Sequence, residues 1–227
     1  MLELLLPPQD RPLRLLVIGA HADDIEIGCG GTILRLAAGH PGLSVDWVVC
    51  SAADARREEA EAGAEAFLTG VADRTVELAS FRDGFLPYSG VEVKEFFEGL
   101  KDRRPDLVLT HHRNDLHQDH RLVCELTWNT FRDHLILEFE VPKYDGDLGA
   151  PGVFVPLTEE VARRKVEALI GAYGSQREKR WFTEDTFLGL MRLRGMESNS
   201  PSGYAEAFYS RKVVLGGLGE PGGPGGP

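Results

Sequence analysis

The stretch RLLVIGAHADDIEIGCGGTI, residues 14–33, decides the fold. A short apolar run ends at Ala20, and His21, Asp23 and Asp24 follow at once. A Gly-rich turn and an apolar helix are expected next. Apolar side chains bury a strand, whereas an imidazole and two carboxylates at its end bury nothing. Such residues belong to chemistry at the carboxyl edge of a sheet, where open α/β folds place their sites. A second cluster, HHRNDLHQDH at 111–120, follows the apolar run LVLT at 107–110. Two strand ends that each carry His and Asp point to one metal site assembled from both.

Outward from these anchors the first half alternates strand and helix. Strands are expected at 14–20, 45–51, near 75–78 and at 107–110. Helices are expected at 31–38, 53–68, 91–102 and 122–132. The runs at 14–20 and 107–110 are continuous, as suits strands covered on both faces. This alternation implies right-handed crossovers and a mostly parallel sheet. After Asp133 the pattern changes. HLILEFEVP reads as another strand at an edge, stopped by Pro142, and KYDGDLGAPG as a loop rich in turn residues. Thr158 caps a helix that runs to about residue 170, 183–194 forms the last long helix, and a short strand is expected near 212–215. The fold expected is a three-layer α/β domain with a Rossmann-like, mostly parallel sheet and a small C-terminal α+β portion. It spans 1–215 as one domain, followed by a Gly/Pro-rich disordered tail at 216–227.

Composition narrows the partners. A formal charge of −11 offers no basic field to collect phosphates, so neither nucleic acid nor an anionic membrane fits. Cys29, Cys50 and Cys124 are odd in number and form no CxxC pair, which points to buried free thiols and a cytoplasmic setting. The first residues, MLELLLPPQDRP, lack the basic region and cleavage site of a signal peptide, and no apolar run approaches the ~20 residues of a transmembrane helix. The apolar segment 2–6 suits an interface between copies of the chain or packing on its own domain.

A hydrolytic zinc site needs three protein ligands and one open position. His21 and Asp24 stand three residues apart at a strand-to-helix turn and can converge on one ion. His120 supplies the third ligand if the strand ending at Thr110 lies beside the one ending at Ala20. Asp23 faces elsewhere and is free to accept a proton from water. His117 and Asp119 form a second pair, in which a carboxylate beside an imidazole favours imidazolium, a group able to steady an oxyanion and protonate an amine. Simple capping of the following helix by Asp23 and Asp24 is the competing explanation for the first motif alone. A dinucleotide reading of Gly28-Cys29-Gly30-Gly31 fails because two acids precede the glycines where a pyrophosphate would approach. Those glycines instead permit a tight turn and close backbone approach.

AHADDIEIGCGGT and HRNDLHQDH resemble the two signatures of the PIG-L/LmbE-like family of zinc-dependent N-acetylglucosaminyl deacetylases. The likeness continues through Arg56 and Glu59, Asp83-Gly84, Ser175-Gln176 and YAEAF at 204–208, roughly 13–215 in all. It implies His21, Asp24 and His120 as metal ligands and Asp23 as general base. His117 would stabilise the oxyanion with Asp119 behind it, and Arg56 and Asp83 would hold a sugar. Ala22 stands where the family usually has proline, which loosens a fixed φ but removes no ligand. The segment 135–147 lies outside the family's general signature and is a candidate substrate wall, with Glu138 and Tyr144 offering hydrogen bonds to a sugar. The resemblance implies one Zn2+ per chain, with Fe2+ equally suited to a His2Asp set, and removal of an acetyl group from an N-acetylated amino sugar or conjugate. Two rivals are a metallohydrolase of a non-sugar amide or ester on the same site, and a sugar-binding relative without catalysis.

Overall fold

The computed structural model describes residues 12–214. The segment 2–6 and the tail 216–227 lie outside the described residues. Seven strands form one sheet in the order β3-β2-β1-β4-β5-β7-β6: β1 Arg14–His21, β2 Ser44–Ser51, β3 Asp73–Leu78, β4 Leu107–His111, β5 Leu135–Phe139, β6 Val153–Leu157 and β7 Tyr204–Tyr209. The first five are mutually parallel, and β7 runs antiparallel to both β5 and β6. The chain winds one way from β1 to β3, then crosses back to β4 and β5 on the other side. That reversal leaves a crevice at the carboxyl ends of β1 and β4, the place where open α/β sheets bind ligands. Both sequence motifs sit there.

Each central strand splits its side chains between two cores. Leu15 and Val17 join Trp47, Phe67 and Phe139 in one buried cluster. Leu16 and Ile18 join Val48, Phe97, Val108 and Ile136 in the other. Helices α1 Asp24–Gly39, α2 Ala55–Phe67, α5 Glu159–Ala172 and α6 Glu184–Glu197 pack on the first side. Helices α3 Gly90–Gly99 and α4 Gln118–Thr130 cover the second. The continuous apolar runs of β1 and β4 are thus explained: both faces are covered. Thr158 and Thr183 cap α5 and α6, each accepting a backbone N–H at 3.2 Å. Among the described residues no helix is long and apolar enough to cross a membrane. The three cysteines are free and buried.

Four local expectations are corrected. The strand in HLILEFEVP is not at an edge: β5 lies between β4 and β7, and its last four residues are buried. The edge is instead taken by β6, which follows the turn-rich loop at once. The final strand is β7, and 212–214 carries no strand; Leu215 lies outside the described residues. Helices α1 and α4 begin at Asp24 and Gln118, several residues earlier than expected, because the polar site residues occupy their first turns. The glycines 28–31 therefore lie within a helix rather than a turn, and their role is close packing. A methyl group at Gly28 would overlap the Phe139 ring, and one at Gly30 would overlap Phe67. Gly28→Ala should cost about 1–3 kcal/mol through overpacking, read as a lower urea midpoint at unchanged slope.

Glu206, from the YAEAF segment, fixes α1 from the other side. It accepts the Gly31 and Thr32 N–H groups at 2.8 and 2.6 Å. Its partner Lys165, also buried, donates to Glu206 and to the Ile27 carbonyl, each at 2.6 Å. A buried pair is costly unless every donor and acceptor is used, and here the helix backbone uses them. The helix that carries Asp24 is held rigidly by this pair.

Candidate metal centre

Three ligand atoms meet at the crevice. His21 Nδ1 lies 3.2 Å from His120 Nε2 and 3.3 Å from Asp24 Oδ2, and His120 Nε2 lies 3.4 Å from the same oxygen. The triangle joins a residue at the end of β1, one in the first turn of α1 and one in the first turn of α4. A tetrahedral ion with ligands at about 2.0–2.1 Å requires ligand–ligand separations of ~3.3–3.4 Å, so the spacing fits zinc. The remaining ring nitrogens explain why lone pairs face inward. His21 Nε2 lies 3.1 Å from Asp119 Oδ2, and His120 Nδ1 lies 2.8 Å from Asp115 Oδ2. With a metal bound, each carboxylate would accept a ring N–H and leave the other nitrogen free for the ion, the usual arrangement behind metal-bound imidazoles. Two such nitrogens and a carboxylate oxygen in mutual contact form a donor set able to hold a cation.

The charges follow the same logic. Burial pushes Asp24 up, but the His120, His111 and His21 imidazoles outweigh it and hold its carboxyl well below the usual range. Burial lowers His120, while Asp24 and Asp115 raise it to about 9. His21 also ends well above its ordinary value, against burial, through Asp24, Asp119 and Asp83. The pocket thus holds a surplus of negative charge that stabilises positive charge at its centre.

Asp23 occupies the N-cap position of α1 but makes no side-chain cap bond, so capping does not account for it. Its Oδ2 lies 3.0 Å from the Arg56 guanidinium. Burial lifts its carboxyl to about 6, opposed by Arg56. His117 stands at the N-cap of α4, where its Nδ1 accepts the Asp119 N–H at 3.2 Å. The ring proton is thereby assigned to Nε2. One ring nitrogen of His117 lies within 4.8 Å of those of His21 and His120.

Several expected roles find different partners. Burial and the neighbouring His120 and His21 lower the His117 pKa, so the structure favours a neutral ring over the expected imidazolium. The Asp119 carboxylate does not stand behind the His117 ring. It bonds to His21 and accepts the Gly84 and Leu86 N–H groups at 2.7 and 3.2 Å. Arg56 bonds to Asp23, to the Ala22 carbonyl at 2.6 Å and to Glu59 at 2.8 Å, rather than standing open to a sugar. Glu138 is buried and bonded to His112, the Arg113 N–H, Trp128 and Arg211. Its carboxylate is used up by the fold. Asp83 touches His21 at 3.2 Å with a side chain 78% exposed, and Tyr144 is 71% exposed; both remain open to a ligand.

Two further side chains stand behind the ligands, and the sequence reading gave one of them, Asp115, no role. His111, at the end of β4, is buried, accepts the Ala20 N–H on Nε2 at 2.9 Å and stacks on His120 with ring centroids 3.9 Å apart. Burial and the His120 charge lower its pKa to about 4, consistent with a neutral spacer behind the ligands. Asp115 is the carboxylate behind His120. The signal for it was present, since a metal-bound histidine needs an acceptor for its second nitrogen and Asp115 lies in the same motif.

A family profile described as "PIG-L: GlcNAc-PI de-N-acetylase" matches residues 16–131, about half the chain and all of both motifs. Among solved structures, a conserved protein of Thermus thermophilus aligns with a TM-score of 0.72 at 23% identity, covering 89% of this chain and 96% of the other. An N,N'-diacetylchitobiose deacetylase of Pyrococcus horikoshii aligns at 0.68 and 22% identity, covering 87% and 83%. The 4-carboxy-2-hydroxymuconate hydratase of Pseudomonas putida aligns at 0.71 and 21%, covering 90% and 98%. At these identities the likeness establishes the fold. A deacetylase and a hydratase share it, so reaction and substrate must be argued from the site.

Proposed function

The chain belongs to the PIG-L (GlcNAc-PI de-N-acetylase) family, and from that membership we propose that it is a zinc-dependent hydrolase removing acetyl from an N-acetylated amino sugar or sugar conjugate. The observation that carries this reading is the His21–Asp24–His120 triangle at 3.2–3.4 Å with Asp23 beside it. When bound, a divalent cation would acidify water and polarise an acyl carbonyl. His21, Asp24 and His120 would hold it.

The remaining chemistry falls to side chains. Asp23, lifted by burial to about 6, is a base matched to neutral pH. It takes the proton of the attacking water as the water oxygen bonds to the acyl carbon. The oxyanion that forms accepts a hydrogen bond from His117 Nε2–H. A neutral donor at a helix N-terminus serves this purpose without an imidazolium charge. The C–N bond then breaks, the amine recovers the proton from Asp23, and acetic acid leaves and ionises to acetate in water. Asp119 and Asp115 orient His21 and His120. Asp83 and Tyr144 are the groups open to the sugar.

The test is direct. The protein, reconstituted with one equivalent of zinc, should release equimolar acetate and free amine from N-acetylglucosamine or its glycosides, and chelation should abolish release. Cleavage confined to esters or non-sugar amides would transfer the assignment to that rival. Failure on every acyl substrate by a zinc-loaded protein would leave a binding function.

A further inference from the structure

The segment KYDGDL, residues 143–148, offers Tyr144 to the sugar on its outer side, and on its inner side it is tied to the metal-ligand loop. Lys143 is nearly buried, with a side chain 9% exposed. Its Nζ lies 2.6 Å from Asp147 Oδ2 and 3.0 Å from Asp115 Oδ1. Asp147 Oδ2 also accepts the Leu116 N–H at 2.7 Å. Asp115 in turn accepts the His117 N–H on Oδ1 at 2.8 Å and binds His120 Nδ1 through Oδ2. A continuous path therefore runs Asp147–Lys143–Asp115–His120.

The segment is shaped for this. Gly146 has φ +65°, which suits glycine and turns the chain so that Lys143 and Asp147 both face inward. Tyr144 points out to solvent. Just outside the segment on either side, Arg194 grips Glu140 with two bonds at 2.9 and 2.7 Å and the Gly149 carbonyl at 3.0 Å. With its flanks fixed, the segment holds Lys143 in place.

From this geometry we infer that Lys143 is a positioning residue of the metal centre, acting through Asp115 to hold the His120 ring. The inference rests on the metal-centre reading. Asp115 and Asp147 are both buried acids within reach of one ammonium. Without that charge they repel each other in a region of low dielectric. Asp147 then releases the Leu116 N–H, the 115–117 loop loosens, and the carboxylate that orients His120 loses its support. Loss of an outer partner of a metal-bound histidine typically weakens binding about 10–100-fold.

The experiment uses the full chain, stripped of metal and titrated with Co2+ alone, with affinity read by chelator competition and coordination by the visible absorption bands. Lys143→Met should bind Co2+ at least 10-fold more weakly than the unaltered protein, with changed bands, while Lys143→Arg restores both. Should Lys143→Met not fold, Lys143→Gln carries the same test at the same threshold. A folded neutral variant that binds Co2+ with unaltered affinity and spectrum overturns the role of Lys143 and leaves the metal centre standing. Absence of Co2+ binding by the unaltered protein removes the metal centre, and the inference with it.

Discussion

Asp23→Ala is expected to retain its metal and lose nearly all turnover. General-base catalysis contributes about 10²–10⁴-fold, and the other buried carboxylates described around the centre are committed elsewhere. Asp24 is committed to the triangle, Asp119 to His21 and two backbone N–H groups, and Asp115 to His120. The substitution spares all three ligand atoms, so zinc content by elemental analysis should stay near one per chain. Folding should not suffer either. A carboxyl lifted to about 6 mainly by burial is one the fold holds at a cost, and Arg56 keeps Glu59 and the Ala22 carbonyl once Asp23 is gone. The expected signature is kcat down about 1000-fold, metal unchanged, and the melting temperature level or slightly raised. More than a tenth of normal turnover in the metal-loaded variant would falsify the assignment of Asp23 as base.

The sequence showed what repeats locally and concealed what is made by contact at a distance. Apolar runs ending in His and Asp marked the ends of β1 and β4, and their neighbourhood in the sheet, left as a condition by the sequence, is what the sheet order supplies. His21, Asp24 and His120 were therefore grouped on that condition and on the family resemblance. The partners of Arg56, Asp119 and Glu138 could not be foreseen. Asp119 reaches back 98 residues to His21, and Glu59 reaches forward 116 to Ser175. Local pattern has no term for such pairs. Glu138 shows the limit well. In a stretch read as an edge strand it resembled a free hydrogen-bonding group, but β5 is interior and four donors consume the carboxylate. The strand edge was misplaced for the same reason: β7, which starts 47 residues after the end of β6, inserts between β5 and β6, and nothing in HLILEFEVP announces that. Helix starts were read late because polar first turns conceal periodicity. At Asp24 and Gln118 the residues that open the helix are the ones that build the site.

The second large effect is expected at Asp24. Replacing it with alanine removes the only anionic corner of the triangle and leaves two imidazoles 3.2 Å apart. It also removes the acceptor of the His21 backbone N–H, bonded to Asp24 Oδ2 at 2.7 Å, so the turn joining β1 to α1 loosens along with the ligand set. Loss of an outer partner alone costs about 10–100-fold in metal affinity. Loss of a direct ligand should exceed that range, so Asp24→Ala should emerge from dialysis without zinc and without activity, and added zinc should restore neither. Asp119→Asn provides the comparison. It keeps the shape behind His21 but removes the charge and turns one acceptor into a donor, so its affinity should fall within that range and its activity should recover at high zinc. The ordering discriminates between a metal centre and a polar cluster that merely holds the two motifs together. In a polar cluster, Asp24→Ala would lower stability with no zinc to lose. At a metal centre, zinc should raise the melting temperature of the unaltered protein, since whatever binds only the folded state stabilises it, and that rise should vanish in Asp24→Ala. Full zinc occupancy in Asp24→Ala would take Asp24 out of the ligand set.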